Sequence, residues 1–357
     1  MSTSSKLLAL MALFACVSQA WAAGAPGACA KAPAQMRAAR VHAAGGPEAL
    51  RVEQVPTPTP TAGEVLVRVH YASINPIDWK LQKAGRLPMP AIPGADFAGQ
   101  VIGLGSGVSG FACGDLVAGV MNQRERAGSY AEYLTVPVSE IVRKPKTLSL
   151  AEAAAYPTVA VAAWRYVVQA AAVTSGERVL VHGGAGGSGS VIVQLAKSRG
   201  AYVIATASAP NHKFLKEIGA DEVIDYRTTR FEDAVRNVDV VIDTVGGDTL
   251  SRSVHVLRDG GRLVTLVGSV PKYIGSVPPE VCELGRGRIV CPTTPPWNVK
   301  LGLESIEPVI ATGKVRINIE KTYPLEKIAE AQQHNIAGHT RGKVVVDMGA
   351  AKAGGHE

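Results

Sequence analysis

Apolar positions along this chain follow two different rhythms. Between Met36 and about Val142 they come in short runs: Val65, Val67 and Val69 alternate with Leu66, Arg68 and His70, and further apolar stretches cover Phe97 to Leu104 and Tyr130 to Val136. Short runs bounded by glycine and proline predict strands, so this part reads as a mainly β domain. At Ser149 the rhythm changes, because Ser149-Leu150-Ala151-Glu152 offers an N-cap and opens an Ala-rich helical region toward Ala172. From Arg178 to Gly268, nearly all-apolar runs recur at Val179 to Val181, Val203 to Ala205, Val223 to Ile224, Val240 to Ile242 and Leu263 to Val267, with amphipathic segments between them. Strands apolar on both faces predict a parallel sheet covered by helices on both sides, an α/β arrangement.

Beyond Gly268 the chain turns Pro- and Gly-rich as far as Asn298, then offers a helix around Glu304 to Thr312 and a last strand, Lys343 to Asp347, expected to return to the first domain. No internal repeat is visible. The predicted division is a first domain over 36–155 completed by 299–348, a second over 156–298, and a loose tail over 349–357. A length of 357 residues with 46% hydrophobic content is enough for two buried cores.

The two ends carry separate information. Lys6 precedes an apolar run from Leu7 to Val17 that closes on Ala20-Trp21-Ala22, the layout of a secretory signal peptide over 1–22, cleaved after Ala22. The run is too short to span a bilayer, and no later run is long enough to do so. A lipid-anchored form would use Cys16, but Phe14 fits that signal poorly. Residues 23–35, rich in Ala, Gly and Pro, read as a flexible linker. This predicts an exported protein, periplasmic or secreted; a translation start at Met36 would instead leave it cytoplasmic.

Net charge is +7, spread along the chain without a dense basic run, so it reads as a general attraction for anions, a phosphorylated cofactor included. No zinc-finger spacing, basic zipper or other reading module argues for nucleic acid. The cysteines are Cys16, Cys29, Cys113, Cys282 and Cys291. Once Cys16 leaves with the leader, four remain that can pair in an oxidising compartment, Cys282 and Cys291 being nearest in sequence; free thiols are the simpler reading.

The clearest chemical signal is Val179-Leu180-Val181-His182-Gly183-Gly184-Ala185-Gly186-Gly187-Ser188-Gly189 with a helical segment after it. Gly184, Gly186 and Gly189 make G-x-G-x-x-G between a strand and a helix, with Gly187 and Ser188 inside the loop. Such a turn lets a dinucleotide pyrophosphate approach the backbone and meet the free amides of a helix start. A flexible Gly-rich loop would lack the flanking strand and helix. At the end of the next strand, Tyr202 to Thr206, an NAD site carries Asp or Glu for the ribose hydroxyls, whereas this chain has Ala207 and Ser208. With Ser208, Asn211, Lys213 and Tyr226 nearby, NADP is the expected cofactor. Lys213 reads equally well as a solvated helix residue.

Several separated motifs, Ala72-Ser73-Ile74-Asn75-Pro76-Ile77-Asp78-Trp79-Lys80, Ile92-Pro93-Gly94-Ala95-Asp96-Phe97-Ala98-Gly99, Gly128-Ser129-Tyr130-Ala131-Glu132-Tyr133, the glycine loop, Asp243-Thr244-Val245-Gly246-Gly247 and Gly338-His339-Thr340-Arg341-Gly342-Lys343, occur in one order. In them the chain resembles, over roughly Met36 to Asp347, the zinc-free branch of the medium-chain dehydrogenase/reductase superfamily, the quinone oxidoreductase and enone reductase group. The resemblance implies a GroES-like β-barrel for the first domain, a Rossmann fold for the second, and a cleft between them for the nicotinamide. It also implies that Gly268 and Ser269 follow the strand edging the nicotinamide, that Thr158 lies near its carboxamide, and it leaves a homodimer open.

Metal-dependent members of that superfamily place a ligand Cys where Asn75 stands and a ligand His where Ala95 stands. Neither an amide nor a methyl group supplies a zinc ligand of that kind, no four-Cys lobe exists, and the eight His residues show no ligand spacing, so no metal site is expected. The expected reaction is hydride transfer from NADPH to a small electrophile, a quinone or an α,β-unsaturated carbonyl. Asn75 and Lys80 are the candidates for contacts to the oxygen that gains charge, and Tyr130 for a substrate-side wall or proton donor. Against these stand plain structural roles: Asn75 shaping the turn before Pro76, Lys80 as a surface charge, Tyr130 as core, and Asp78 ordering its loop. Two other classes remain open, a zinc-free NADP-dependent alcohol or carbonyl dehydrogenase and a non-catalytic NADPH-binding relative.

Overall fold

The computed structural model describes residues 29–267 and 276–349. In chain order the first part contains β1 (Gln35–Arg40), β2 (Arg51–Pro56), β3 (Glu64–Ser73), α1 (Pro76–Lys83), β4 (Asp96–Leu104), β5 (Leu116–Val120), β6 (Tyr133–Pro137) and β7 (Ile141–Arg143). Helices α2 (Leu150–Ala155) and α3 (Pro157–Ala163) lead into an alternating series. That series is β8 (Arg178–His182), α4 (Gly187–Ser198), β9 (Tyr202–Ala207), α5 (His212–Glu217), β10 (Glu222–Asp225), α6 (Phe231–Ala234), β11 (Val238–Asp243), α7 (Asp248–Ser253) and β12 (Leu257–Thr265). The last part holds α8 (Pro279–Glu283), α9 (Val299–Ala311), β13 (Ile319–Pro324), α10 (Ile328–Ile336) and β14 (Lys343–Asp347).

The alternating series forms a five-stranded sheet in the order β10-β9-β8-β11-β12, every pair parallel. The pleat explains why its strands are apolar throughout. Val179 and Val181, Val203 and Ala205, and Val240 and Ile242 face one cluster with Val191 and Leu195 of α4, while Leu180, Ile204, Val241 and Leu263 face the opposite one with Phe231 and Leu250. A parallel bridge from Arg262 to Val290 extends the sheet past β12. Strand order reverses between β8 and β11, which places the crevice for a ligand at the carboxyl ends of those two strands.

The other large sheet runs β13-β14-β3-β4-β5-β7, with β6 also paired to β3. Register shifts in β3 between Leu66 and Val67 and between Val69 and Tyr71 mark bulges, the usual means of bending a strand around a core. That core holds Val65, Val67, Val69, Phe97, Val101, Leu134 and Ile141. The last strand returns as expected: β14 pairs antiparallel with β3, Val345 opposite Ser73 and Asp347 opposite Tyr71.

Several details differ from expectation for local reasons. The Ala-rich region is two short helices and a π-helical turn, Trp164–Ala170, because Pro157, lacking an N–H, starts a new helix rather than continuing α2. Ser149 does cap α2, exchanging bonds with Glu152. Helix α9 begins before Glu304 because the Asn298 side chain accepts from the Leu301 amide at 2.9 Å. The four cysteines among the described residues are not free thiols: Cys29 is bonded to Cys113 and Cys282 to Cys291. The leader over 1–22 with Cys16, the tail beyond Gly349, and the cofactor candidates Gly268 and Ser269 lie outside the described residues. No helix among the described residues is long and apolar enough to cross a membrane.

Candidate functional site

The glycine loop sits at the predicted crevice. Gly183 turns the chain out of β8 with φ +67°, a conformation that only glycine adopts freely, so the tight turn begins one residue before the expected Gly184. A Cβ on Gly189 would stand 2.1 Å from the Gly183 carbonyl oxygen, so the first turn of α4 can lie against the loop only without a side chain there. At Gly186, the N-cap of α4, a Cβ would meet nothing nearer than 3.5 Å. The amides of Gly187, Ser188 and Gly189 open the helix, have no acceptor one turn back, and carry the positive end of its dipole. The arrangement fits a pyrophosphate.

Beneath the loop, His182 ties neighbouring elements together. Its Nδ1 lies 3.2 Å from Thr206 Oγ1 and its Nε2 3.1 Å from Ser253 Oγ. Burial, helped by the Arg252 charge, pushes its pKa down to about 3, so the ring is neutral at neutral pH.

At the end of β9 two of the four expected residues meet: Asn211 Nδ2 donates to Ser208 Oγ at 3.3 Å. Lys213 is turned along its own helix, Nζ 3.9 Å from Glu217 with the side chain 90% exposed. Tyr226 is 53% exposed and bonded to neither. Sequence reading also missed a carboxylate, since Asp225 pairs with Ala207 across β10 and β9. Its oxygens accept from the Ala209 amide at 3.2 Å and the Arg227 amide at 2.9 Å.

The other half of the site lies where α1, β4, α3 and β14 begin. Asn75, the N-cap of α1, is buried; its Oδ1 accepts from Lys343 Nζ at 2.5 Å and its Nδ2 donates to Asp96 at 2.9 Å. Lys343 also donates to the Ile74 carbonyl at 3.1 Å and pairs with Asp96 at 3.4 Å. Asp96 further accepts from the Thr158 hydroxyl at 2.6 Å, the Thr158 amide at 3.0 Å and Ser73 Oγ at 3.2 Å. The two halves touch at β14: Gly342 donates to the Ala185 carbonyl at 2.9 Å, and a Cβ on Gly187 would lie 2.9 Å from Lys343 Cδ. Asp96 and Lys343 were read only as letters in motifs. A lysine at the head of an all-apolar strand was the available signal, because a charge there must be buried with a partner.

Two expected catalytic candidates are placed elsewhere. Tyr130 is fully buried and donates its hydroxyl to Asp78 at 2.7 Å, which is the core placement set against a substrate-facing one. Asp78 also accepts from the Asn75 amide at 2.8 Å and from Gln123 at 2.6 Å, which fixes the turn into α1. Burial raises its pKa to about 6 against the pull of those bonds. Lys80 is exposed on α1, its ammonium 5.5 Å from the centre of the Trp79 ring, and makes no bond to Asn75. Ala95 stands beside Asp96 in the core. Among the described residues no three His, Cys, Asp or Glu side chains converge as metal ligands.

Comparison with known proteins places this geometry. Residues 61–146 match the family model described as an alcohol dehydrogenase GroES-like domain, and 218–346 match one described as a zinc-binding dehydrogenase. The 2-methylene-furan-3-one reductase of Solanum lycopersicum is 34% identical over 330 residues, covering 88% of this chain and 79% of that protein. The chloroplastic NADPH-dependent alkenal/one oxidoreductase of Arabidopsis thaliana is 32% identical over 333 residues, covering 89% and 81%. The structure of the quinone oxidoreductase from Coxiella burnetii superposes with a TM-score of 0.81 at 34% identity, covering 88% of this chain and 99% of that one. The chain therefore belongs to the medium-chain dehydrogenase/reductase family, with a GroES-like first domain and a Rossmann second domain, in the group of the quinone oxidoreductases and alkenal/one reductases.

Proposed function

We propose that this protein is an oxidoreductase that uses NADPH to reduce a quinone or an α,β-unsaturated carbonyl compound without zinc. One observation carries the reading: the glycine loop and the Asn75 cluster meet at Gly342 and Lys343, and Asn75 and Ala95 put an amide and a methyl group where metal-dependent members of the superfamily place a thiolate and an imidazole. The relatives named above, which act on quinones, alkenals and a methylene-furanone, support the same chemistry. Bound NADPH supplies the hydride.

The residues of the chain do the remaining tasks. Gly184, Gly186, Gly187, Ser188 and Gly189 receive the pyrophosphate, Ser208 and Asn211 the adenosine end, and Thr158 borders the nicotinamide. Asn75 has its amide oxygen held by Lys343 and one N–H held by Asp96, so its second N–H is the donor for the substrate oxygen that gains charge. Lys343 on the amide oxygen strengthens that donor by drawing charge toward itself. On this reading residues 36–155 with 299–348 form the substrate side and 156–298 the cofactor side.

The test is NADPH oxidation by chelator-treated protein, screened over quinones, alkenals and cyclic enones with NADH and simple alcohols as controls. Turnover with a conjugated acceptor, unchanged by chelation, is the expected result. Loss of activity on chelation, or alcohol oxidation as the dominant reaction, overturns the proposal. We also infer export: the leader over 1–22 and the pairing of Cys29 with Cys113 and Cys282 with Cys291 support an oxidising compartment. N-terminal sequencing of the native protein should give Ala23; an end at Met36 removes export.

A further inference from the structure

We propose that Arg341, and not Lys213, is the residue that selects NADPH over NADH by pairing with the 2′-phosphate. This deepens the cofactor reading above and rests on it. The guanidinium reaches the adenosine end of the crevice from the C-terminal segment: Nε donates to Asn211 Oδ1 at 3.1 Å, and Asn211 in turn donates to Ser208 Oγ. Its carbon lies 5.7 Å from the centre of the Phe214 ring, which gives the planar group a wall. The backbone is fixed on both sides. Asn318 donates to the Arg341 carbonyl at 2.7 Å, and Gly342 is bonded to the glycine loop.

The charges around it decide between the two cations. Lys213 leans toward Glu217 and is almost wholly exposed. Among the described residues the Arg341 side chain has no carboxylate partner; Glu320 instead takes the Arg341 backbone amide at 3.2 Å and the His334 ring at 3.1 Å. Both terminal nitrogens of the guanidinium therefore keep their donors for an anion, in the fork that suits a phosphate. Asp225 opposes such an anion, yet both its oxygens accept from backbone amides. A cation at this spot is what makes the turn hospitable to a dianion.

The experiment is a binding titration of full-length wild-type and Arg341→Leu protein with NADPH and with NADH, read by nicotinamide fluorescence at low and high salt. The variant is expected to bind NADPH about 10- to 100-fold more weakly, the size of a lost charge-assisted pair. NADH affinity should stay within about twofold, and the salt dependence of NADPH binding should flatten. Lys213→Leu should change NADPH affinity less than about threefold. Unchanged NADPH affinity in Arg341→Leu overturns the inference, as does an equal loss for both cofactors, which would mark a structural role. Arg341→Lys separates these further by keeping part of the NADPH preference. Wild-type protein that binds NADH more tightly than NADPH overturns the cofactor reading itself, before any variant is made.

Discussion

The two sides of the crevice are built on different principles. On the Rossmann side the glycine loop is a backbone device: a turn at Gly183, a close approach at Gly189 and a row of amides at the head of α4, all within a few residues. On the barrel side Asn75, Asp96 and Lys343 come from remote parts of the chain, act through buried side chains and are tied to Thr158 at the head of α3. A backbone site tolerates change wherever side chains face away from it. A buried polar cluster depends on every member, because each unpaired group keeps its full desolvation penalty.

That contrast can be broken by four measurements. The largest effect should come from Lys343→Met, which removes the counter-charge of the buried Asp96 and should lower stability by about 3–5 kcal/mol in urea unfolding. Adding Asp96→Asn should recover part of this, and simple additivity of the two changes would mean that the pair is not coupled.

Next is the pH response of Asp78. Its folded-state pKa is raised to about 6, against about 3.9 when unfolded. Between those values the folded chain holds a proton that the unfolded chain has released, so this group makes stability fall as pH rises through the window. The stability of wild type minus that of Asp78→Asn should therefore drop by roughly 2–3 kcal/mol from about pH 4 to about pH 6.5. A flat difference would show that burial does not hold the proton. His182 carries the opposite sign: its depressed pKa gives stability that is present above about pH 6.5 and lost as pH falls toward its folded value.

On the backbone side, Gly189→Ala forces a methyl onto the Gly183 carbonyl and should lower stability by roughly 1–3 kcal/mol. It should also abolish NADPH fluorescence enhancement, and retained binding would remove the close approach as a requirement. Smallest is Lys213→Ala, expected to shift stability by less than about 0.5 kcal/mol, as for other exposed pairs one helical turn apart. A larger loss would give that lysine a partner beyond Glu217.

The same contrast decides what could be read before folding. The parallel strands were legible because both their faces are buried, and the glycine loop because its geometry is local. Asn75 was legible by its place before Pro76, but its partner Lys343 lies 268 positions away, a pairing with no local code. Tyr130 and Lys80 stayed open between a catalytic and a structural role for a related reason, since a motif gives their order but not their direction, and direction is set by Asp78 beside one and by solvent around the other. The link of Cys29 to Cys113 spans 84 positions and is equally silent. Arg341 stood in a quoted motif, yet only folding brings it to Asn211.

The bond from Gly342 to the glycine loop has a consequence for the order of events at the ribosome. Every strand of the five-stranded sheet is synthesised before the segment that closes the crevice, and Lys343 reaches Asn75 only when β14 has paired with β3. A nascent chain stalled short of residue 343 would display the loop with half its surroundings missing.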